Sequence, residues 1–270
     1  MICSHNHPIT QSPTMPDNIR RLRKAPSWSE FVEIAQAPFL IEGFFKSSEA
    51  YQQWSPDFFI SHYGHLEVPV YPKGQDGIEM PLKTYFEAYF LKGRSDFYLK
   101  DWVFELDAPA LRTQYSIPEV FASYFDDLPF AEQPLLHWFY IGPQGSGSAL
   151  HIDIWNTAAW NGVLSGRKEW HFYPPEATPY LYDLKIDSFH ADKERYPLLA
   201  HTQPIVALQE AGDLVYTPSR WAHQVRNLEA GVSITENFVN STNIEAVIAY
   251  FDTQPENPYG QALRSLLQAK

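Results

Sequence analysis

His151-Ile152-Asp153 sets an imidazole and a carboxylate two residues apart. On a strand, residues i and i+2 project from one face, so both side chains can reach a single ion. One further histidine would complete a two-histidine, one-carboxylate set. Such a set leaves three coordination positions open, which suits Fe(II) that must accept a bidentate ligand and O2. The tripeptide is short, and His190-Ala191-Asp192 repeats it. The neighbours separate the two copies. Leu150, Ile152 and Ile154 alternate with His151 and Asp153, as in a strand with one packed and one polar face. His190 and Asp192 lie among Asp187, Ser188, Lys193, Glu194 and Arg195, which reads as a solvated loop.

The third ligand comes from downstream. Gly212-Asp213-Leu214-Val215-Tyr216-Thr217-Pro218 reads as a strand ending at a proline, followed by Ser219-Arg220-Trp221-Ala222-His223-Gln224-Val225-Arg226-Asn227. The first motif begins in the same way, with Gly145, five intervening residues and then His151. Gly-x5-His-x-Asp and Gly-x5-Pro-x4-His-x3-Asn resemble the two metal-binding motifs of the cupin superfamily, and they nominate His223. The histidines at 5, 7, 62 and 65 sit in no such pattern and read as ordinary surface or core residues.

A 2-oxoglutarate cosubstrate would need a cation and hydroxyls for its distal carboxylate inside a dry cavity. A buried lysine in turn needs an anion. Lys168 follows Ser165-Gly166-Arg167, which reads as a hairpin turn, and shares a strand side with Trp170 and Phe172. In Val232–Phe238 the odd positions are Ser233, Thr235 and Asn237, whereas Val232, Ile234 and Phe238 are apolar. A strand face of small neutral donors suits the lining of a ligand cavity and makes Thr235 the second candidate.

The elements that must position these residues divide the chain in two. From Leu135 to Phe238, short apolar runs are broken by Gly, Pro, Asn or Asp, the spacing of an antiparallel sandwich or barrel. Upstream the pattern is mixed. Ser27 caps a helix to Ala35, PFLIEGFF (38–45) and DFYLKD (96–101) read as strands, and Pro81–Leu91 and Ile117–Leu128 read as helices. Asn243–Phe251 reads as a closing helix, with a proline-rich loop and a helical tail after it. The apolar positions of Asn243–Phe251 and Leu263–Leu267 offer faces for a homodimer. The expected organisation is a flexible segment over 1–26, then a single domain over 27–270. Within it, helices and strands (27–134) pack on a β core (135–243) and a helical segment (244–270) follows.

Composition narrows the partners. With 20 Lys and Arg against 32 Asp and Glu, the net charge is −12, and no basic block exceeds Arg20, Arg21, Arg23 and Lys24. That field repels phosphate backbones and favours a basic partner, so nucleic acid is not expected. Cys3 is the only cysteine, which fits a reducing compartment. There is no apolar run of signal-peptide or transmembrane length. The expectation is a soluble protein off the membrane, cytoplasmic, or nuclear as well if the chain is eukaryotic.

Leu135 to Asn243 as a whole resembles the JmjC-domain, or cupin-like, 2-oxoglutarate oxygenases, particularly the small JmjC protein (lysyl) hydroxylases. The segments that carry the likeness are HWFYIGPQGSGSALHIDIWNTAAWNGVLSGRKEWHFYPP and AGDLVYTPSRWAHQVRNLEAGVSITENFVNSTN, with a fainter continuation through PFLIEGFF and FYLKDW. The resemblance implies a mainly β fold, a double-stranded β-helix with flanking N-terminal and C-terminal helices. It implies Fe(II) on His151, Asp153 and His223. It puts the distal carboxylate of 2-oxoglutarate on Lys168, Thr235 and Tyr98, and contacts nearer the metal on Asn161 and Asn237. Trp138 and Trp160 read equally as cavity lining or as core. The activity implied is oxidative decarboxylation of 2-oxoglutarate with O2, coupled to hydroxylation of a protein or peptide side chain, lysyl first. N-methyl-lysine demethylation, hydroxylation of an RNA nucleoside and a non-catalytic metal-binding cupin stand as alternatives.

Overall fold

The computed structural model describes residues 17–269. Cys3, His5, His7 and most of the segment expected to be flexible (1–26) lie outside them. The described end of that segment is part of the sheet: β1 (Arg20–Leu22) pairs in parallel with β2 (Phe39–Ile41).

The remaining strands are β3 (Glu67–Pro72), β4 (Ile78–Pro81), β5 (Phe97–Trp102), β6 (His137–Gly142), β7 (Gly147–His151), β8 (Ala158–Tyr173), β9 (Ile205–Gln209), β10 (Leu214–Thr217) and β11 (Ala222–Phe238). They run in the order β1-β2-β10-β8-β11-β6-β5-β3-β4, with β7 beside β11 and β9 beside β8. The two long strands generate the barrel. The first part of β8 pairs with β10 and its second part with β9. β11 pairs with β7 through its first part and with β6 through its second. Each long strand therefore serves two sheets that face one another, a double-stranded β-helix, and the cavity lies between them.

The expected hairpin turn at Ser165–Arg167 is absent: β8 runs straight through it. Gly166 takes φ +81°, and the β8–β11 register shifts opposite this point, between Asn227 and Ser233. The irregularity changes which side chains point inward. Ala159 and Asn161 face the cavity before it, Lys168 and Trp170 after it.

Helices cover the outer face. They are α1 (Trp28–Ile34), α2 (Glu49–Gln53), α3 (Pro56–Tyr63), α4 (Leu82–Tyr85), α5 (Phe104–Asp107), α6 (Ile244–Asp252) and α7 (Pro258–Ala269). Ser27 and Glu30 close a reciprocal capping box on α1, as the sequence predicts. The predicted 81–91 helix is α4 continued by a π-helical turn over Phe86–Phe90. The predicted helix over 117–128 is instead two 3-10 turns, Glu119–Phe121 and Tyr124–Asp127, broken where Ala122 is extended. Tertiary packing wins there. Phe121 stacks on Tyr216 at 5.8 Å, and Ser123 starts its own cap with Asp126.

The largest core is aromatic and sits between these helices and the outer face of the larger sheet, with Phe31, Phe39, Tyr216 and Phe139 fully buried. Of the apolar positions expected to pair two copies, some are covered within the chain and Leu267 is 36% exposed. Val247, Phe251 and Leu263 are buried with Phe125 and Trp155. Among the described residues no helix is long and apolar enough to cross a membrane.

Candidate active site

His151 ends β7 and stands directly opposite His223 on β11. The two rings are 4.2 Å apart between centroids. Asp153 lies two residues beyond the end of β7, still extended at φ −59° and ψ 152°. Its Oδ1 is 3.9 Å from Nε2 of each histidine. The three ligand atoms fall within 4.8 Å of one another. Strand parity therefore picked the tripeptide that the fold brings together with His223, although the strand itself stops at His151 and Ile154 is 46% exposed.

The tautomers suit a metal. His151 Nδ1 lies 2.8 Å from the Ala149 carbonyl and His223 Nδ1 lies 3.1 Å from that of Trp221. A carbonyl can only accept, so each Nδ1 carries the proton and each Nε2 presents a lone pair. Burial, and then His151 alongside, push the pKa of His223 down to about 4, so its ring is neutral near pH 7. Asp153 Oδ2 is buried and finds no hydrogen-bond donor among the described residues. Two aligned nitrogen lone pairs and an undonated carboxylate, open on one side, fit a divalent transition metal of the Fe(II) type.

The same cavity, about 520 Å³, contains Lys168, Tyr98, Asn161, Thr235 and Asn237. Lys168 is 5% exposed, and no carboxylate is paired with it among the described residues. Its Nζ donates to Asn227 Oδ1 at 3.0 Å and to Tyr98 Oη at 3.4 Å. Burial pulls its pKa down to about 7. Tyr98 is pushed upward by burial and stays a neutral phenol. A buried ammonium held only by neutral oxygens is a receptor for an anion that comes with the ligand. Asn227 is oriented for its part because its Nδ2 donates to Ser146 Oγ at 2.9 Å. Gly142 makes room, since a Cβ there would lie 2.6 Å from the Tyr98 ring and 2.7 Å from Asn227 Nδ2.

The alternation read on β11 holds: Thr235 and Asn237 line the cavity, while Ile234 and Phe238 are core. Thr235 Oγ1 donates to the Trp160 carbonyl at 2.7 Å, leaving its lone pairs toward the cavity. Asn237 Nδ2 donates to Thr157 Oγ1 at 2.8 Å. Asn161 Oδ1 is buried without a partner among the described residues. The two tryptophans separate. Trp138 lines the cavity, whereas Trp160 is wholly core against Phe45 and His137.

Sequence reasoning assigned no role to Asn227, although it closes the second motif, nor to Asp101 and Tyr140. Asp101 and Asp153 are the carboxylates of the lining. Asp101 sits at φ +60° at a register shift between β5 and β6 and accepts a 3.0 Å hydrogen bond from Tyr140 Oη. The repeated tripeptide is elsewhere: the His190 side chain is 59% exposed and its Nδ1 faces Asp187 Oδ2 at 2.9 Å.

The sequence family follows the geometry. The model of the cupin-like domain matches residues 25–257. This chain belongs to the cupin-like domain family. The cupin-like chain is also 34% identical over 221 residues to the 2-oxoglutarate and iron-dependent oxygenase JMJD4 of Gallus gallus, covering 70% of this chain and 50% of that protein. It is 31% identical over 254 residues to the arginine-specific demethylase JMJ22 of Arabidopsis thaliana (87% and 48%). It is 28% identical over 245 residues to the bifunctional arginine demethylase and lysyl-hydroxylase psr-1 of Caenorhabditis elegans (80% and 58%). The cupin-like chain thus spans about half the length of each of these relatives.

Proposed function

We propose that this cupin-like chain is an Fe(II)- and 2-oxoglutarate-dependent oxygenase that uses O2 to hydroxylate a protein or peptide side chain, a lysyl residue first. The observation that carries the reading is the pairing, in one cavity, of an open His-Asp-His set with an anion-seeking ammonium. A metal-binding cupin of no particular chemistry has no use for Lys168. An α-keto dicarboxylate uses both ends, one at the metal and one at the lysine.

His151, Asp153 and His223 would hold the iron. When bound, Fe(II) supplies the redox chemistry that couples decarboxylation of 2-oxoglutarate by O2 to insertion of one oxygen atom into a C–H bond. The chain's own residues set the geometry. Lys168, with Tyr98 alongside, neutralises the distal carboxylate, and Thr235 can present its oxygen there. Asn161 and Asn237, on the same cavity wall, would contact the cosubstrate nearer the metal. Burial around Lys168, Trp170 and Val225 keeps water out, which strengthens each of these contacts.

The relatives are named for lysyl hydroxylation and arginine demethylation, both at cationic residues of proteins. The cavity wall supports a cationic guest. Trp138 and Tyr140 line it with aromatic rings that can receive a positive head group, and Asp101 beside them, 3.5 Å from Lys100 Nζ, would have to exchange that partner for the guest. The net charge of −12 adds long-range attraction for a basic substrate.

Aerobic incubation with Fe(II), 2-oxoglutarate and lysine-bearing peptides tests the reading. Succinate should form, and a cognate peptide should gain one oxygen atom by mass spectrometry. Undiminished turnover by Asp153→Ala would sink it. A second reading, N-demethylation, is favoured by the names of two of the relatives and uses the same hydroxylation on an N-methyl carbon. Formaldehyde release from methylated lysyl or arginyl peptides separates the two.

A further inference from the structure

Two corners of the metal set are fixed by the sheet, and the third is not. His151 and His223 face each other across β7 and β11, each with its Nδ1 held by a backbone carbonyl. Asp153 is off the sheet, at the entrance to a 3-10 turn over Ile154–Asn156. Its Oδ2 has no hydrogen-bond partner among the described residues. The carboxylate is therefore aimed by the path of the backbone on either side of it.

That path is unusual. Trp155 and Asn156 have φ +56° and +57°, two successive non-glycine residues in the left-handed region. Bulky side chains hold that conformation only where their surroundings impose it. The Trp155 indole is the means. It lies 5.1 Å from the Phe251 ring of α6, 5.2 Å from the Tyr259 ring of α7 and 6.2 Å from the Phe125 ring. Polar ties complete the hold on the turn. Ser219 Oγ donates to the Asn156 carbonyl at 2.5 Å, and Thr157 Oγ1 donates to that of Ile154 at 2.7 Å.

We infer that Trp155 is a positioning residue for the metal. It keys the turn that carries Asp153 into the C-terminal helix pair, so α6 and α7 hold a metal ligand although neither contributes a side chain to the cavity. The helical segment after the barrel is thereby part of the metal site's support as well as a cover for the core. The inference rests on the metal reading above. It adds a dependence of metal affinity on contacts that involve no metal ligand.

Titration of the full chain with Co(II), followed by calorimetry and by the visible absorption of the bound ion, tests this without any turnover. Trp155→Ala should bind Co(II) at least tenfold more weakly, with an altered spectrum, and Trp155→Phe should restore most of the affinity. Tyr259→Ala alters only the helix side of the contact and should weaken binding severalfold. Phe59→Leu perturbs the remote N-terminal core and should leave Co(II) affinity unchanged while lowering the melting temperature. Wild-type affinity in Tyr259→Ala and in folded Trp155→Ala overturns the inference, as does equal weakening in Phe59→Leu. If Trp155→Ala does not fold, Tyr259→Ala decides alone. Absence of Co(II) binding by the wild type would instead fail the metal reading itself, an outcome separate from those four variants.

Discussion

The chain spells His-x-Asp twice, and the two copies show what turns such a tripeptide into a metal site. At 190–192 the side chains are engaged by their own loop. His190 Nδ1 meets Asp187 Oδ2, and Asp192 Oδ1 accepts from the backbone N–H groups of Glu194 and Arg195 at 2.9 and 3.1 Å. Both residues are solvated. At 151–153 Nδ1 is likewise held, by a carbonyl, but Asp153 Oδ2 is buried with no donor among the described residues. A second, buried imidazole faces the first. Identical residue types at identical spacing thus differ in what faces them, a buried imidazole or solvent, and in how dry the surroundings are.

The comparison is broken most forcefully at Asp153. Asp153→Ala removes the anionic ligand, and two neutral imidazoles cannot hold a divalent ion with comparable strength. Binding of Fe(II) or Co(II) should fall below calorimetric detection, and succinate formation should stop. The fold should survive, because the Asp153 carboxylate accepts no hydrogen bond at Oδ2 and contributes none to the core. Retained tight binding would mean that the set is not the metal site.

Lys168→Met comes next, and it acts oppositely on function and on stability. Losing the cation opposite a buried carboxylate costs about 2–5 kcal/mol of binding, so 2-oxoglutarate affinity should drop by at least tenfold. In the protein without cosubstrate, the same change removes an unpaired buried ammonium and should stabilise the fold by about 0.5–2 kcal/mol. Isothermal titration and thermal denaturation read the two effects separately, and a destabilised Lys168→Met would contradict the unpaired state inferred here.

The pH dependence sharpens the same point. Lys168 is drawn down from 10.5 to about 7 by burial in the absence of an anion. Between those values the unfolded chain binds the extra proton and the folded chain does not. This group's contribution to the stability of the cosubstrate-free protein therefore rises with pH across that window. Binding a carboxylate requires the charged form, so 2-oxoglutarate affinity should weaken as pH climbs above about 7, approaching tenfold per unit. Lys168→Arg, which stays charged, should flatten that slope if it binds.

What was legible in the sequence follows from range. His151 and Asp153 are readable because their geometry is local, two residues on an extended chain. Thr235 and Asn237 are readable as one polar strand face because alternation is also local, whereas Asn161 came through resemblance. His223 needed the second glycine-led motif as its partner. Tyr98 came through resemblance alone, and the structure brings it to Lys168 from β5, a strand whose place beside β6 no periodicity reveals. Asp101 and Tyr140 depend on that same pairing and went unassigned. Ser165–Arg167 misled for the converse reason: glycine in a turn-like setting marks a hairpin or a bend in one long strand, and only pairing with β11 distinguishes them. In Ile117–Leu128 the apolar spacing was real but served two short turns packed on Tyr216, because long-range packing outweighs helix propensity.

The smallest expected effect is the sharpest control. Asp192→Ala deletes the carboxylate of the repeated tripeptide and two backbone hydrogen bonds that it accepts. Each such bond is worth about 0.5–1.5 kcal/mol, and less where water replaces the partner, as on this exposed loop. Melting temperature should shift slightly downward, and Co(II) affinity and succinate formation should match the wild type. His190→Ala should behave likewise, because its partner Asp187 keeps a 2.9 Å hydrogen bond from Gln224 Nε2 and another from the Phe189 N–H at 3.0 Å. A loss of metal binding in either variant would mean that the second tripeptide reaches the ion after all. Matched behaviour would show that the asymmetry between the two motifs lies in burial and in the facing imidazole rather than in residue type and spacing.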